Sequence, residues 1–353
     1  MKTLYKYAPG ARTSRLAERP VPQLTPLDNV RVRVNDCAVC GMDLHIYSGK
    51  FACDPPFVMG HEFVGVVESV FPGVTSVAPG DRVVAQPHLY ACGQCQTCRD
   101  GFPQYCRDKR SLGINRDGAM AEYVVLPEQY LHKIPDSIPN PIACLLEPMT
   151  ILVSDVVVYS GLKPGDTVVI AGAGQVAQLA VVAAKAAGAG KVILSGVTHD
   201  RSIRFPAALA LGADLVVDSL TEDLPAVVME QTGGRGADLA VEASGSESGI
   251  NLCIDSLRVG GQMTCLGLTR RESVAARWDA AVRKMLTLRF HMMSDYKEMD
   301  RAIEIFATYP RDLAPLVTHI APLDDWERLF DILTRGGGIK GVLNVDGTVR
   351  NPV

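Results

Sequence analysis

Thr167-Val168-Val169-Ile170-Ala171-Gly172-Ala173-Gly174-Gln175-Val176-Ala177 decides how the second half of this chain folds. The run after Thr167 is short and continuously apolar, the pattern of a strand buried on both faces. It leads into a G-x-G-x-x-A turn, and from Gln175 to Ala187 the chain is rich in alanine and valine, as a buried helix would be. In such a turn the first glycine makes the tight bend and the second lets the backbone approach a pyrophosphate. The third position, where helix packs on strand, tolerates alanine. The amides that open the helix then face phosphate oxygens. The glycine pattern alone says little. Its place between a buried strand and a buried helix makes Gly172, Gly174, Gln175 and Val176 the expected dinucleotide contacts.

Working outward, Gly161-Leu162-Lys163-Pro164-Gly165-Asp166 is a turn before that strand, Lys191-Val192-Ile193-Leu194-Ser195 a second buried strand, and Ala237-Asp238-Leu239-Ala240-Val241-Glu242 a later one. Continuous apolar strands alternating with helices give a doubly wound parallel sheet of the Rossmann kind, covered on both faces. An acidic residue closing the second strand would take the ribose 2′-hydroxyl of NAD. That position falls on Gly196, and His199, Arg201 and Arg204 follow. The missing carboxylate and nearby cations lean to the 2′-phosphate of NADP. The alternative is NAD, with Asp200 reaching back to the ribose and the arginines solvated.

Before about Thr150 the pattern is β-rich. Val30-Arg31-Val32-Arg33-Val34 and Phe63-Val64-Gly65-Val66-Val67 alternate as half-buried strands do, separated by turns at Pro72-Gly73 and Pro79-Gly80-Asp81. Cys92, Cys95, Cys98 and Cys106 interrupt this region with the spacing C-x2-C-x2-C-x7-C. Four thiolates so close fit a closed tetrahedral zinc site, a lobe folded by its metal. Disulfides would need an oxidising compartment. Ten cysteines with no apolar signal region at Met1-Lys2-Thr3-Leu4-Tyr5-Lys6 instead suggest reduced thiols and the cytoplasm.

The chain has 353 residues, 47% hydrophobic and 21% charged, with a net charge of −4. That length favours two domains. The charge gives no basic field for nucleic acid or an anionic membrane, and no apolar stretch is long enough to span one.

Cys40 stands in Cys40-Gly41-Met42-Asp43-Leu44-His45, and Gly60-His61-Glu62 follows. One sulfur, one nitrogen and carboxylate oxygens form the mixed donor set of a catalytic zinc site that keeps one position open. With Asp117-Gly118-Ala119-Met120-Ala121-Glu122-Tyr123, Leu146-Glu147-Pro148, the cysteine lobe and the glycine turn, these motifs occur in an order that resembles the zinc-dependent medium-chain dehydrogenases and reductases, in particular the polyol (sorbitol-type) and threonine dehydrogenase branch.

The resemblance covers essentially the whole chain. It implies a GroES-like catalytic domain at 1–151 with the zinc lobe at 90–108, an NAD(P)-binding domain at 152–289, and a return to the first domain at 290–353. It implies two zinc ions per chain, one held by the four lobe cysteines and one by Cys40, His61 and either Glu62 or Glu147. It gives Asp43 the task of orienting a ligand histidine and His45 that of a proton relay beside Glu62 and Glu147. Lys340, in Gly338-Ile339-Lys340-Gly341, reads as a solvated lysine, with contact to cofactor or substrate the alternative. Cys37 has no use in the family pattern, and Cys53, Cys144, Cys253 and Cys265 read as buried packing residues. The implied activity is hydride transfer between a secondary alcohol or polyol and NAD(P), in a homo-oligomer, dimer or tetramer. A threonine or other amino-alcohol dehydrogenase is the alternative, and a non-catalytic NAD(P)-binding relative a further one. Two departures stand out: Met42 replaces the usual hydroxyl of the proton relay, and Met293-Ser294, after His291-Met292, replaces the sorbitol-type Arg-Tyr pair.

Overall fold

Ten strands come before residue 134: β1 (Lys2–Lys6), β2 (Ser14–Glu18), β3 (Val30–Ala38), β4 (Phe57–Val58), β5 (Glu62–Val70), β6 (Arg82–Ala85), β7 (His88–Leu89), β8 (Arg110–Ser111), β9 (Tyr123–Leu126) and β10 (Leu131–Lys133). Alternation sets the longest pairing. Val30, Val32 and Val34 are buried while Arg31 and Arg33 turn outward, so β3 has one core face. It pairs antiparallel with β5 and β9. Its register against β5 shifts between Val34 and Asp36, an irregularity that re-aims the strand end just before helix α1 (Gly41–Tyr47). The computed structural model describes residues 1–293 and 296–348.

The next block is β11 (Thr167–Ala171), α2 (Gln175–Ala186), β12 (Lys191–Gly196), α3 (Arg204–Leu211), β13 (Leu215–Asp218), α4 (Leu224–Gln231), β14 (Ala237–Glu242), α5 (Glu247–Ser256), β15 (Leu257–Cys265), α6 (Trp278–Arg283) and β16 (Thr287–Phe290). These strands make one sheet in the order β13-β12-β11-β14-β15-β16, every pair parallel. Every residue of β11 and β14 is buried, as a sheet covered on both faces requires. The order runs outward in both directions from β11, which puts the turn after β11 at a topological switch point.

The last elements are α7 (Tyr296–Thr308), β17 (His319–Pro322), α8 (Trp326–Thr334) and β18 (Gly341–Asn344). β18 pairs antiparallel with β3 and parallel with β17, which extends the first sheet to the order β10-β6-β5-β3-β18-β17. The chain thus forms two compact units. One comprises Met1–Pro148, Met293–Ala307 and Val317–Val353, the other Met149–Met292 and Thr308–Leu316. The C-terminal return is therefore interrupted: Thr308–Leu316 packs with the dinucleotide-type sheet. Among the described residues no helix is long and apolar enough to cross a membrane.

Candidate metal centre and cofactor turn

Cys40 is the N-cap of α1. Its sulfur accepts from the Met42 N–H at 3.4 Å, and Asp43 accepts from the Cys40 N–H at 2.9 Å. This reciprocal cap fixes the cysteine at the helix start. Gly60 positions the histidine. Its φ is +91°, and a Cβ there would lie 2.5 Å from Met120 Cγ and 2.8 Å from Cys37 Sγ, so only glycine makes this turn. Cys37 thus lines the turn as a wall, buried, with its thiol pushed well up by burial. His61 follows, and Glu62 opens β5.

Cys40, His61 and Glu62 each offer a ligand atom within 4.8 Å of the others. His61 and Glu62 are buried. His61 Nδ1, Glu62 Oε1 and Asp43 Oδ1 are enclosed without hydrogen-bond partners, and His61 Nδ1 stands 4.0 Å from Asp43 Oδ1. Buried polar atoms left so are costly, and a metal that takes sulfur, nitrogen and oxygen donors satisfies such a set. The residues fit zinc. Burial alone would push His61 down, but Cys40 and Asp43 carry it well above its usual value. Burial also pushes Glu147 up to about 7, with His61 opposing. Glu147 therefore lies within electrostatic reach of the cluster.

Lys340 overturns its expected role as a solvated lysine. It is fully buried and forms an ion pair with Glu62, itself fully buried. Burial works against its charge, and Glu62, Cys40 and Asp43 outweigh that. The sequence signal was weak because Gly338-Ile339-Lys340-Gly341 looks like a surface turn. Just before β18, the Lys340 backbone carbonyl accepts from the Thr318 and His319 N–H groups, which places Lys340 inward. His88, which the sequence reading passed over, senses His61 electrostatically, and burial lowers its pKa to about 3. His45 lies half-buried on α1 and Met42 packs against the core of the first unit. Cys144 and Cys253 are buried as expected, whereas Cys53 and Cys265 are only partly so. Ser294 lies outside the described residues.

The lobe cysteines form a second cluster. Sulfur separations are 3.5 Å (Cys95–Cys98), 3.6 Å (Cys92–Cys106), 3.9 Å (Cys95–Cys106) and 4.0 Å (Cys92–Cys98). A tetrahedral ion with Zn–S bonds of about 2.3 Å needs sulfurs about 3.8 Å apart, so the four fit zinc. The Cys92 N–H donates to Cys106, which with other neighbours lowers that thiol to about 6. None of the ten cysteines is in a disulfide.

In the second unit Gly172 follows β11 and donates to Ser195 O, and Gly174 caps α2. Gln178, missed in the sequence because it sits in an apolar helix, is fully buried and donates to Ala173 O and Arg204 O, tying the turn to the next helix. Gly196 closes β12. A Cβ there would meet Asp200 Oδ2 at 2.6 Å and Phe205 at 2.7 Å, so no carboxylate side chain fits. Asp200 points inward, accepting from Val197 N–H and Arg204. It does not reach outward as a ribose ligand would. Arg201 is paired with Asp218 yet half-exposed, and His199 is exposed.

Residues 26–136 match the alcohol dehydrogenase GroES-like domain, and residues 175–308 match the zinc-binding dehydrogenase domain. The chain is 32% identical to D-arabitol-phosphate dehydrogenase of Enterococcus avium, over 96% of both chains. It is 32% identical to L-threonine 3-dehydrogenase of Anaeromyxobacter sp. (strain Fw109-5), over 98% of this chain and 99% of the relative. The solved 2R,3R-butanediol dehydrogenase of Bacillus subtilis superposes with a TM-score of 0.86 at 27% identity, covering 98% of this chain and 99% of that one. The chain belongs to the zinc-dependent medium-chain dehydrogenase family. It is an oxidoreductase of that family, with a GroES-like unit and a Rossmann-type unit, and it is similar to both polyol and threonine dehydrogenases.

Proposed function

We propose that this enzyme oxidises a secondary alcohol of the polyol class, with NADP preferred to NAD. One observation carries the reading: Cys40, His61 and Glu62 converge in a buried set of mixed donors whose enclosed, unpartnered polar atoms a metal would satisfy. In this reading Cys40, His61 and Glu62 hold the catalytic ion, and Lys340 balances the extra negative charge of Glu62. Glu147 serves the open fourth position and exchanges with Glu62. When bound, the metal supplies Lewis acidity toward the alcohol oxygen and the nicotinamide supplies the hydride acceptor.

The side chains do the rest. Asp43 holds the N-terminus of α1, and so the Cys40 sulfur, in place. Met42 has no hydroxyl, so the alcohol proton leaves through His45, the basic residue in the last turn of the same helix. In the lobe, Cys92, Cys95, Cys98 and Cys106 hold a second zinc with no open position. In the second unit Gly172, Gly174, Gln175 and Val176 cradle the pyrophosphate. Gly196 leaves the 2′ position free of a carboxylate, and Arg201, with His199 and Arg204 near it, supplies positive charge for a 2′-phosphate. Reduced thiols throughout fit a cytoplasmic enzyme.

The polyol reading rests on the likeness to D-arabitol-phosphate and 2R,3R-butanediol dehydrogenases. The test is reduction of NAD+ and NADP+, followed by near-ultraviolet absorbance, with polyols, polyol phosphates, vicinal diols and threonine, before and after zinc chelation. Chelator-sensitive NADP+ reduction with polyols or diols is expected. Turnover with threonine alone would replace the substrate class, and preference for NAD+ would overturn the role of Gly196.

A further inference from the structure

β7 and β8 form a small ribbon of their own, and it carries two donors that the reading above leaves without a task. His88 pairs with Ser111 and Leu89 with Arg110. His88 Nδ1 lies 3.1 Å from Ser111 Oγ. Ser111 is buried, and its N–H donates to Asn115 Oδ1 at 2.6 Å, which holds the hydroxyl in place. Among the described residues His88 has no other hydrogen-bond partner. Lys109 directly precedes β8. Side chains alternate along a strand, so Lys109 and Ser111 share a face, and His88 joins that face from across the ribbon. A diagonal cross-strand neighbour stands about 7–8 Å away, within reach of a lysine side chain. The Lys109 charge is indeed felt by His88, second only to burial. Lys109 is half-buried, and among the described residues its ammonium has neither an ion pair nor a hydrogen bond.

The ribbon is anchored to the candidate metal centre. Leu112 N–H donates to Pro87 O at 3.0 Å. Gly113 packs so closely on the turn before His61 that a Cβ there would lie 2.5 Å from Gly60 N. His61 in turn acts on His88 electrostatically. The two donors therefore stand beside the residues that fit the catalytic ion. When the Ser111 hydroxyl donates to Nδ1, a neutral His88 ring carries its proton on Nε2. One such N–H beside one ammonium suits an anion with several oxygens. A phosphate monoester has three terminal oxygens and close to two negative charges, so it can take both donors at once, and lysine binds it as a point charge. A carboxylate offers two oxygens and one charge, and a polyol carries none.

We propose that the substrate is a phosphorylated polyol, whose phosphate accepts hydrogen bonds from Lys109 Nζ and His88 Nε2. Lys109 is thus a specificity-determining residue, and Ser111 acts through His88 by fixing its tautomer. The proposal rests on the polyol reading above, and its test separates the two.

Pentitol phosphates, the parent pentitols and the matching pentonates are compared by kcat/KM and by calorimetric binding for the zinc-loaded wild type, Lys109→Met, Lys109→Arg and His88→Leu. The wild type is expected to favour a pentitol phosphate over its parent by about thirtyfold or more. Lys109→Met is expected to weaken the phosphate about thirtyfold in both readouts, the size of one hydrogen bond between charged groups. The parent pentitol should change by less than about threefold. His88→Leu should weaken the phosphate about tenfold, and Lys109→Arg should recover most of the Lys109→Met loss. Unaltered zinc content in each variant reports an intact lobe. A wild type without preference for the phosphate, or equal losses for phosphate and parent in Lys109→Met, would overturn the proposal, while pentitol turnover would keep the polyol reading. Tighter binding of a pentonate than of the pentitol phosphate would overturn it in favour of a carboxylate. No turnover of any pentitol, phosphorylated or not, would remove the polyol reading, and the proposal with it.

Discussion

The two clusters that fit zinc are built in opposite ways. The lobe takes all four sulfurs from fifteen consecutive residues, and three of its cysteines stay partly exposed. The other cluster draws Cys40 from a helix cap, His61 and Glu62 from the entrance to β5, and Lys340 from the start of β18. It is enclosed, carries uncompensated polar atoms and includes a buried ion pair. A closed thiolate set satisfies itself and can act only as a staple. A buried set with mixed donors and an unfilled requirement is costly to maintain, and such cost collects at sites of chemistry.

The sharpest way to break the comparison is one substitution on each side. His61→Ala is expected to remove one of two zinc ions and lower kcat/KM by at least about a thousandfold, several kcal/mol of lost Lewis-acid stabilisation. Unfolding should barely change. Cys106→Ser should also remove one zinc, yet leave the folded enzyme active while the 92–106 segment becomes open to proteases. Metal analysis, steady-state kinetics and limited proteolysis read the difference. Equal loss of activity in both variants would erase the distinction.

The next effect concerns the ion pair that only the buried cluster has. Lys340→Met strands Glu62 in the interior and is expected to cost about 3–5 kcal/mol. Glu62→Gln combined with Lys340→Met should restore most of it. Denaturant unfolding of the metal-stripped variants measures both. A Lys340→Met loss below about 1 kcal/mol would mean that Glu62 has another partner or is protonated.

The smallest effect is acid sensitivity. Burial lowers His88 to about 3 and also lowers His132, opposed there by Asp300. The unfolded chain binds protons that these folded histidines refuse. Stability should therefore hold above about pH 7 and fall as pH drops below about 6.5, by up to about 1.4 kcal/mol per pH unit for each histidine. His88→Asn should flatten that slope in denaturation series between pH 7 and pH 5. An unaltered slope would place the sensitivity elsewhere.

Much of this was legible in the chain because its signals are local. The turn at Gly172 lies between strand and helix in one continuous stretch, and the lobe's spacing alone brings its sulfurs together. The pair Cys40 and His61 was legible by motif, but not the reason they meet, which is the cap of α1 and the left-handed turn at Gly60. Lys340 was misread because nothing near it in sequence is acidic; its partner is 278 residues earlier. Gln178 was hidden for a similar reason, a polar residue in an apolar helix whose acceptors lie on the loop before it and on the following helix.

What the sequence determined by itself, then, is the family, the two-part fold and the candidate donor residues, since each depends on residue type at short spacing. Tertiary structure alone decided which charges are buried and paired. Glu62 with Lys340 and Asp155 with Arg289 and His291 are joined by strand pairing and helix packing over more than a hundred residues. The energy of a charge depends on the water it loses and the partner it gains, and neither is written in the residues beside it.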